Sequence, residues 1–125
     1  MKIGTQVYVR NSMEAVETYC KAFGAEITFK IIDEEKNVYE HCELSVDGQG
    51  FLAASEAPES CDAGPKTNWQ TMAFNVYEMG EEAVRNAYAV LKEGGTVIDE
   101  LGPCPWNPLC SNLIDKYGVF WWIAK

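Results

Sequence analysis

Basic residues are scarce. The 125-residue chain carries 10 Lys and Arg against 19 Asp and Glu, a formal net charge of −9. Phosphate binding needs cations that displace counterions, so the composition argues against a nucleic-acid partner. An anionic membrane surface is disfavoured on the same ground, and the acidity reads as a solubility feature. No long apolar run is present, and Met1-Lys2-Ile3-Gly4 leads straight into a strand pattern. Neither a membrane span nor a signal peptide is therefore expected. Ser-His-Asp order, a phosphate loop and a dinucleotide fingerprint are all missing. Cysteines number five, an odd count without Cys-x-x-Cys spacing. In a chain lacking export features, that predicts reduced thiols and a cytoplasmic location.

What is present suits a single globular domain, since 47% of residues are apolar. Thr5 to Arg10 alternates as a strand does. Asn11 and Glu14 resemble a capping box for a helix whose apolar stripe is Met13, Val16, Tyr19, Cys20 and Phe23, and which Gly24 stops. Ala25–Ile32, Val38–Val46 and Gln49–Ser55 read as strands, the last two joined by an Asp47-Gly48 hairpin turn. Residues 57–68, with Pro58, Gly64 and Pro65, read as a linker or lid. The plan then restarts. Trp69–Tyr77 is a predicted strand, and Glu81–Lys92 a helix with acids in its first turn. Thr96–Leu101 and Cys110–Ile114 are further strands, and Val119–Ala124 is the last. The proline-rich stretch 102–108 is expected to be a loop.

This is βαβββ written twice, as modules 1–56 and 69–125. Glu14-Ala15-Val16 recurs as Glu82-Ala83-Val84, and Val46-Asp47-Gly48 is matched by Lys116-Tyr117-Gly118. The offset between the copies is about seventy residues throughout, the mark of an internal repeat.

Three stretches carry a family resemblance. They are Glu14 through Gly24; His41-Cys42-Glu43-Leu44 ahead of Asp47-Gly48-Gln49; and Trp106 followed by Asp115-Lys116-Tyr117-Gly118-Val119-Phe120-Trp121. In this order they resemble the vicinal-oxygen-chelate superfamily of glyoxalases, bleomycin resistance proteins and extradiol dioxygenases, and within it the PhnB-like branch. The resemblance implies an α+β fold in which two βαβββ modules form a curved, partly open mixed-sheet barrel with helices outside. It also implies a cavity on the sheet face turned away from the helices.

Strand parity assigns those faces. Val7, Val9, Cys42, Leu44, Met72, Phe74, Val76, Val119, Trp121 and Ile123 are expected to pack on the helices. Gln6, Tyr8, Tyr39, His41, Glu43, Ser45, Thr71, Asn75, Phe120 and Trp122 then face the other way, with Trp106 as a lid residue. Metal-dependent relatives carry ligands at positions that fall here at Gly4 or Gln6, Leu52, Thr71 and Trp122. These residues cannot assemble the hard or borderline donors of a divalent ion, so no metal of the family type and no cofactor is expected. His41, Cys61, Cys104 and Cys110 form a second candidate set for zinc, but the tight spacing is absent and roleless thiols are commoner. A redox pair at Cys104 and Cys110 is disfavoured in a reducing compartment.

The expected function is thus metal-free binding of a small, partly apolar molecule in an aromatic cavity, by a homodimer. Gln6, Tyr8, His41, Leu52, Thr71, Asn75, Trp106, Phe120 and Trp122 are its candidate ligand contacts. The alternative is a lyase, isomerase or transferase acting on a small metabolite, with His41 as general base. A structural or partner-binding role is a third reading. No site for a nucleotide methyl donor is legible, so methyl transfer is not expected.

Overall fold

A computed structural model describes all residues, 1–125. Its elements are β1 (Gln6–Val9), α1 (Ser12–Phe23), β2 (Glu26–Asp33), β3 (Val38–Val46), β4 (Gln49–Glu56), β5 (Phe74–Val76), α2 (Glu81–Leu91), β6 (Thr96–Cys104), β7 (Asn107–Ile114) and β8 (Phe120–Ala124). The chain divides into two compact units, Met1–Ala63 and Gly64–Lys125. Each holds one helix and one four-stranded mixed sheet. The strand orders are β1-β4-β3-β2 and β5-β8-β7-β6. In both, the first strand runs parallel to the last and the remaining pairs are antiparallel. The repeated order shows that the two βαβββ copies share topology as well as sequence, and neither sheet closes on itself. No helix is long and apolar enough to cross a membrane.

In the first unit, Ala15, Val16, Tyr19 and Ala22 form the buried stripe of α1. The helix packs on β3, β4 and β1, where Val7, Val9, Cys42, Leu44, Leu52 and Ala54 are buried. Each Val or Leu side chain among them contributes roughly 1.5–3 kcal/mol on full burial, and each alanine less. Asp47 (φ 51°) and Gly48 (φ 77°) are both left-handed, as a tight hairpin between twisted strands requires.

The start of α1 corrects the capping-box expectation. Asn11 is itself left-handed (φ 55°) and its side chain makes no capping bond. Glu56, at the end of β4, does that work: its carboxylate accepts from the backbone N–H groups of Ser12 (2.8 Å) and Asn11 (3.2 Å). An anion at a helix N-terminus satisfies orphan donors and meets the positive end of the macrodipole. Tyr39 is a second correction. Opposite Ile31 lies His41 and opposite Ile32 lies Tyr39, so Glu40 is a bulged residue that resets the parity. Tyr39 is buried rather than open, and burial, then the nearby Cys42 and Cys20 thiols, raises its hydroxyl pKa.

In the second unit, Val84, Ala87 and Leu91 of α2 are buried, and the helix packs on β7 and β8. Trp121 and its register partner Leu113 are fully buried. The first strand of this unit is shorter than the sequence suggests: β5 begins at Phe74, and Met72 is 76% exposed instead of packed. The stretch 102–108 also differs from the expected loop, because β6 runs to Cys104 and β7 starts at Asn107. Pro103 is tolerated because β6 is the edge of its sheet, and Pro108 because it lies in the register shift between Asn107 and Cys110, before the pairing with β8 begins.

Candidate functional site

In the second unit the organising group is Asp115, which is 1% exposed. One carboxylate oxygen accepts from the backbone N–H of Tyr117 (2.9 Å) and of Val119 (3.0 Å), and the other from Trp121 Nε1 (2.8 Å). The turn into β8 and the core indole are thereby held by one side chain. With Trp121 fixed on the buried face, alternation sends Trp122 to the opposite face, where it is half-buried.

Trp122 there walls a cavity of about 270 Å³. The other walls include Trp106, Cys104, Cys110, Asp99, Ser111 and Asn112. Asp99 accepts twice across the β6–β7 pair, from Asn112 Nδ2 at its carboxylate (2.8 Å) and from Ser111 Oγ at its backbone carbonyl (2.7 Å). Trp106 is 75% exposed at the rim. Two indoles, a carboxylate, an amide and two thiols thus surround one space. Phe120, although of the same parity as Trp122, is buried under Trp69, with ring centroids 5.3 Å apart. Asn75 and Thr71 are exposed, and neither is among the walls of this cavity.

The first unit presents its own open face. Gln6 Nε2 donates to Ser55 Oγ (3.0 Å) and Tyr8 is 56% exposed. His41 Nε2 lies 3.1 Å from Glu43 Oε1, and its ring is 6.2 Å from that of Phe29. Leu52 is buried and belongs to the wall of a separate cavity of about 640 Å³, together with Gly4, Thr5, Thr28, Glu43 and Phe51. Arg10 closes the end of this unit by donating to the carbonyls of Ala57 (2.7 Å), Pro58 (3.0 Å) and Cys61 (2.7 Å). Of the candidate contacts, only Trp106 and Trp122 share one of these two cavities.

The donor chemistry at the family's metal positions does not fit a divalent ion. Leu52 and Trp122 offer no hard ligand atom, and the single amide oxygen of Gln6 with the Thr71 hydroxyl is too few donors to hold the ion. No cluster of three or more His, Cys, Asp or Glu is poised to hold one elsewhere.

A βαβββ pair with these strand orders defines a class of protein, the two-module α+β fold of glyoxalase type. Residues 4–123 match the family model of the Glyoxalase/Bleomycin resistance protein/Dioxygenase superfamily, and the chain belongs to that superfamily. Solved structures agree on the fold. The PhnB protein from Bacillus cereus is 24% identical, with 99% of this chain and 98% of that one covered and a TM-score of 0.80. Protein PA1353 from Pseudomonas aeruginosa is 20% identical over 99% and 96% of the two chains, with a TM-score of 0.76. The fosfomycin resistance protein FosX from Listeria monocytogenes is 10% identical over 99% and 91%, with a TM-score of 0.69. Among curated proteins, the piRNA biogenesis protein EXD1 of Mus musculus is 24% identical over 108 residues. The chain spans 19% of that relative's length.

Proposed function

We propose that this protein binds a small, partly apolar molecule without a metal, in the cavity between Trp106 and Trp122. The supporting observation is the composition of that cavity: two indoles for apolar contact, with Asp99, Ser111 and Asn112 as convergent polar groups. Ligand sites commonly combine a mostly apolar wall with a few placed polar atoms. The reading includes a homodimer, which is supported by edge strand β2, where Ile27, Phe29, Ile31 and Ile32 are exposed. Titrating a panel of aromatic and amphiphilic compounds against intrinsic fluorescence tests the binding. A responding compound should lose about tenfold in affinity in Trp106→Ala, the equivalent of about 1.4 kcal/mol of stacking and burial. Silence across the panel, or unchanged affinity in the variant, refutes the proposal.

One observation favours a second reading, catalysis by His41. The Glu43 carboxylate stands where it orients the imidazole. A tautomer that donates from Nε2 to Glu43 leaves Nδ1 as the basic nitrogen. Turnover of any compound in the panel should then fall by about 100-fold or more in His41→Ala, the usual effect of removing a general base. Undiminished turnover in that variant eliminates this reading.

A further inference from the structure

Five free cysteines are present, and they are not equivalent. Cys42 is fully buried, and burial followed by the Cys20 thiol pushes its pKa up to about 11. Burial, then Glu17, also raises that of Cys20. These two are protected hydrophobic thiols. Cys104 and Cys110 differ because they meet. They sit on the facing strands β6 and β7, both wall the Trp106–Trp122 cavity, and lie close enough to bias each other's ionisation. The backbone N–H groups of Trp106 and Asn107, in the turn beside it, favour the Cys104 thiolate. Trp122, which shares the cavity wall with Cys110, favours its thiolate, though burial and Cys104 outweigh it.

We propose that Cys104 and Cys110 form a reactive dithiol that reduces a small hydroperoxide at the mouth of this cavity, Cys104 attacking and Cys110 resolving. Cys104 is half-buried, hence reachable, whereas Cys110 is buried beneath it. In the first step the Cys104 thiolate attacks the terminal oxygen of the hydroperoxide. An S–O bond forms, the O–O bond breaks, and the alcohol (water, for hydrogen peroxide) leaves with a proton. In the second step the Cys110 sulfur attacks the Cys104 sulfenic acid. An S–S bond forms, the S–O bond breaks, and hydroxide leaves as water with the Cys110 proton. The two thiols lose two electrons and two protons, and the peroxide accepts both.

The electrostatics suit the division of labour. Partial burial opposes ionisation of Cys104, but the Cys110 thiol and the N–H groups of Trp106 and Asn107 outweigh it and hold its pKa below the ordinary thiol range. Cys110 is raised, by burial first and then by Cys104. The attacking sulfur is therefore the one richer in thiolate.

The ladder leaves room for closure. Cys110 stands opposite Gly102, and Cys104 opposite Asn107, with a register shift between the two pairs. The thiols are therefore diagonal neighbours, whose Cα atoms are ordinarily about 7–8 Å apart, and a disulfide spans up to about 6.8 Å. Bridging needs a slight inward shift of the end of β6, where the chain turns through Pro105-Trp106 into β7. That segment belongs to an edge strand whose pairing is already irregular, with a register shift around Pro103. This reading departs from the sequence expectation of roleless thiols, and it is independent of the organic ligand proposed above.

Treating the reduced full chain with hydrogen peroxide or tert-butyl hydroperoxide, followed by peptide mass mapping, tests it. The expected product is a Cys104–Cys110 disulfide, 2 Da lighter than the dithiol, as the loss of two hydrogens requires. In Cys110→Ser, dimedone should trap a sulfenic acid at Cys104, and Cys104→Ser should give neither product. In the untreated wild type, Cys104 should alkylate about tenfold faster than Cys61 at neutral pH, because its own pKa is lowered. Any other pairing, or equal rates at Cys104 and Cys61, overturns the proposal. Because the rate comparison uses the wild type, it stands even if a variant fails to fold.

Discussion

Replacing Asp115 by alanine is expected to cost about 3–5 kcal/mol of folding stability, the usual consequence of removing one partner from a buried, charged hydrogen-bond set. The carboxylate holds three donors: the N–H groups of Tyr117 and Val119 and the indole N–H of Trp121. Without it, the N–H groups of Tyr117 and Trp121 lose their acceptor in a buried setting and that of Val119 in a half-buried one, and a water admitted to the space replaces it only in part. The loss should register as a lower urea midpoint with Trp fluorescence as the probe, because Trp121 is the buried reporter. Asp115→Asn should fall between wild type and Asp115→Ala. It keeps one acceptor oxygen, but its amide NH₂ must confront either the backbone N–H pair or the indole N–H. A loss under about 1 kcal/mol in Asp115→Ala, the range of an ordinary surface substitution, would show that the turn is held by something else. The functional consequence follows from geometry. If the turn loosens, Trp121 and Trp122 lose their fixed faces together, and the aromatic wall of the cavity goes with them.

Much of this was legible in the chain because repeats and turns act locally. Asp47-Gly48 and Tyr117-Gly118 mark matching hairpins, and both glycines have positive φ. Parity separates Trp121, fully buried, from half-buried Trp122. What parity could not deliver lies beyond a bulge or depends on distant residues. Glu40 reverses the face of Tyr39, and no local signal in Val38 to Val46 marks the extra residue. Glu56 caps a helix that starts 44 residues earlier in the chain, which no local pattern encodes. Phe120 has the right parity for the open face and is nonetheless covered, because Trp69 folds over it from outside the sheet. The meeting of Cys104 and Cys110 was hidden for a different reason. Their separation of six residues carries no motif, and only the β6–β7 register, with its shifts, makes them diagonal neighbours.

Gly118→Ala is expected to destabilise the chain by about 3 kcal/mol, through two separable terms, an unfavourable backbone and a steric clash. Gly118 has φ +89°, where an L side chain is strained whatever the space around it. A Cβ there would also lie 2.2 Å from the carbonyl oxygen of Gly64 and 3.2 Å from its carbonyl carbon. Both are backbone atoms, so relief requires moving the start of the second unit, not rotating a side chain. Gly48→Ala isolates the first term. Its φ of +77° is comparable, but nothing lies within 4 Å of its Cβ position. That variant should lose only about 1 kcal/mol, the usual cost of leaving glycine at a left-handed position. The difference between the two midpoints, each taken in urea with the slope held common, measures the Gly64 approach itself. Equal losses would mean that the segment around Gly64 yields freely, and that Gly118 is required for its dihedral alone. A much larger loss at Gly118 would establish that the turn feeding β8 is clamped from outside by Gly64 as firmly as Asp115 clamps it from within.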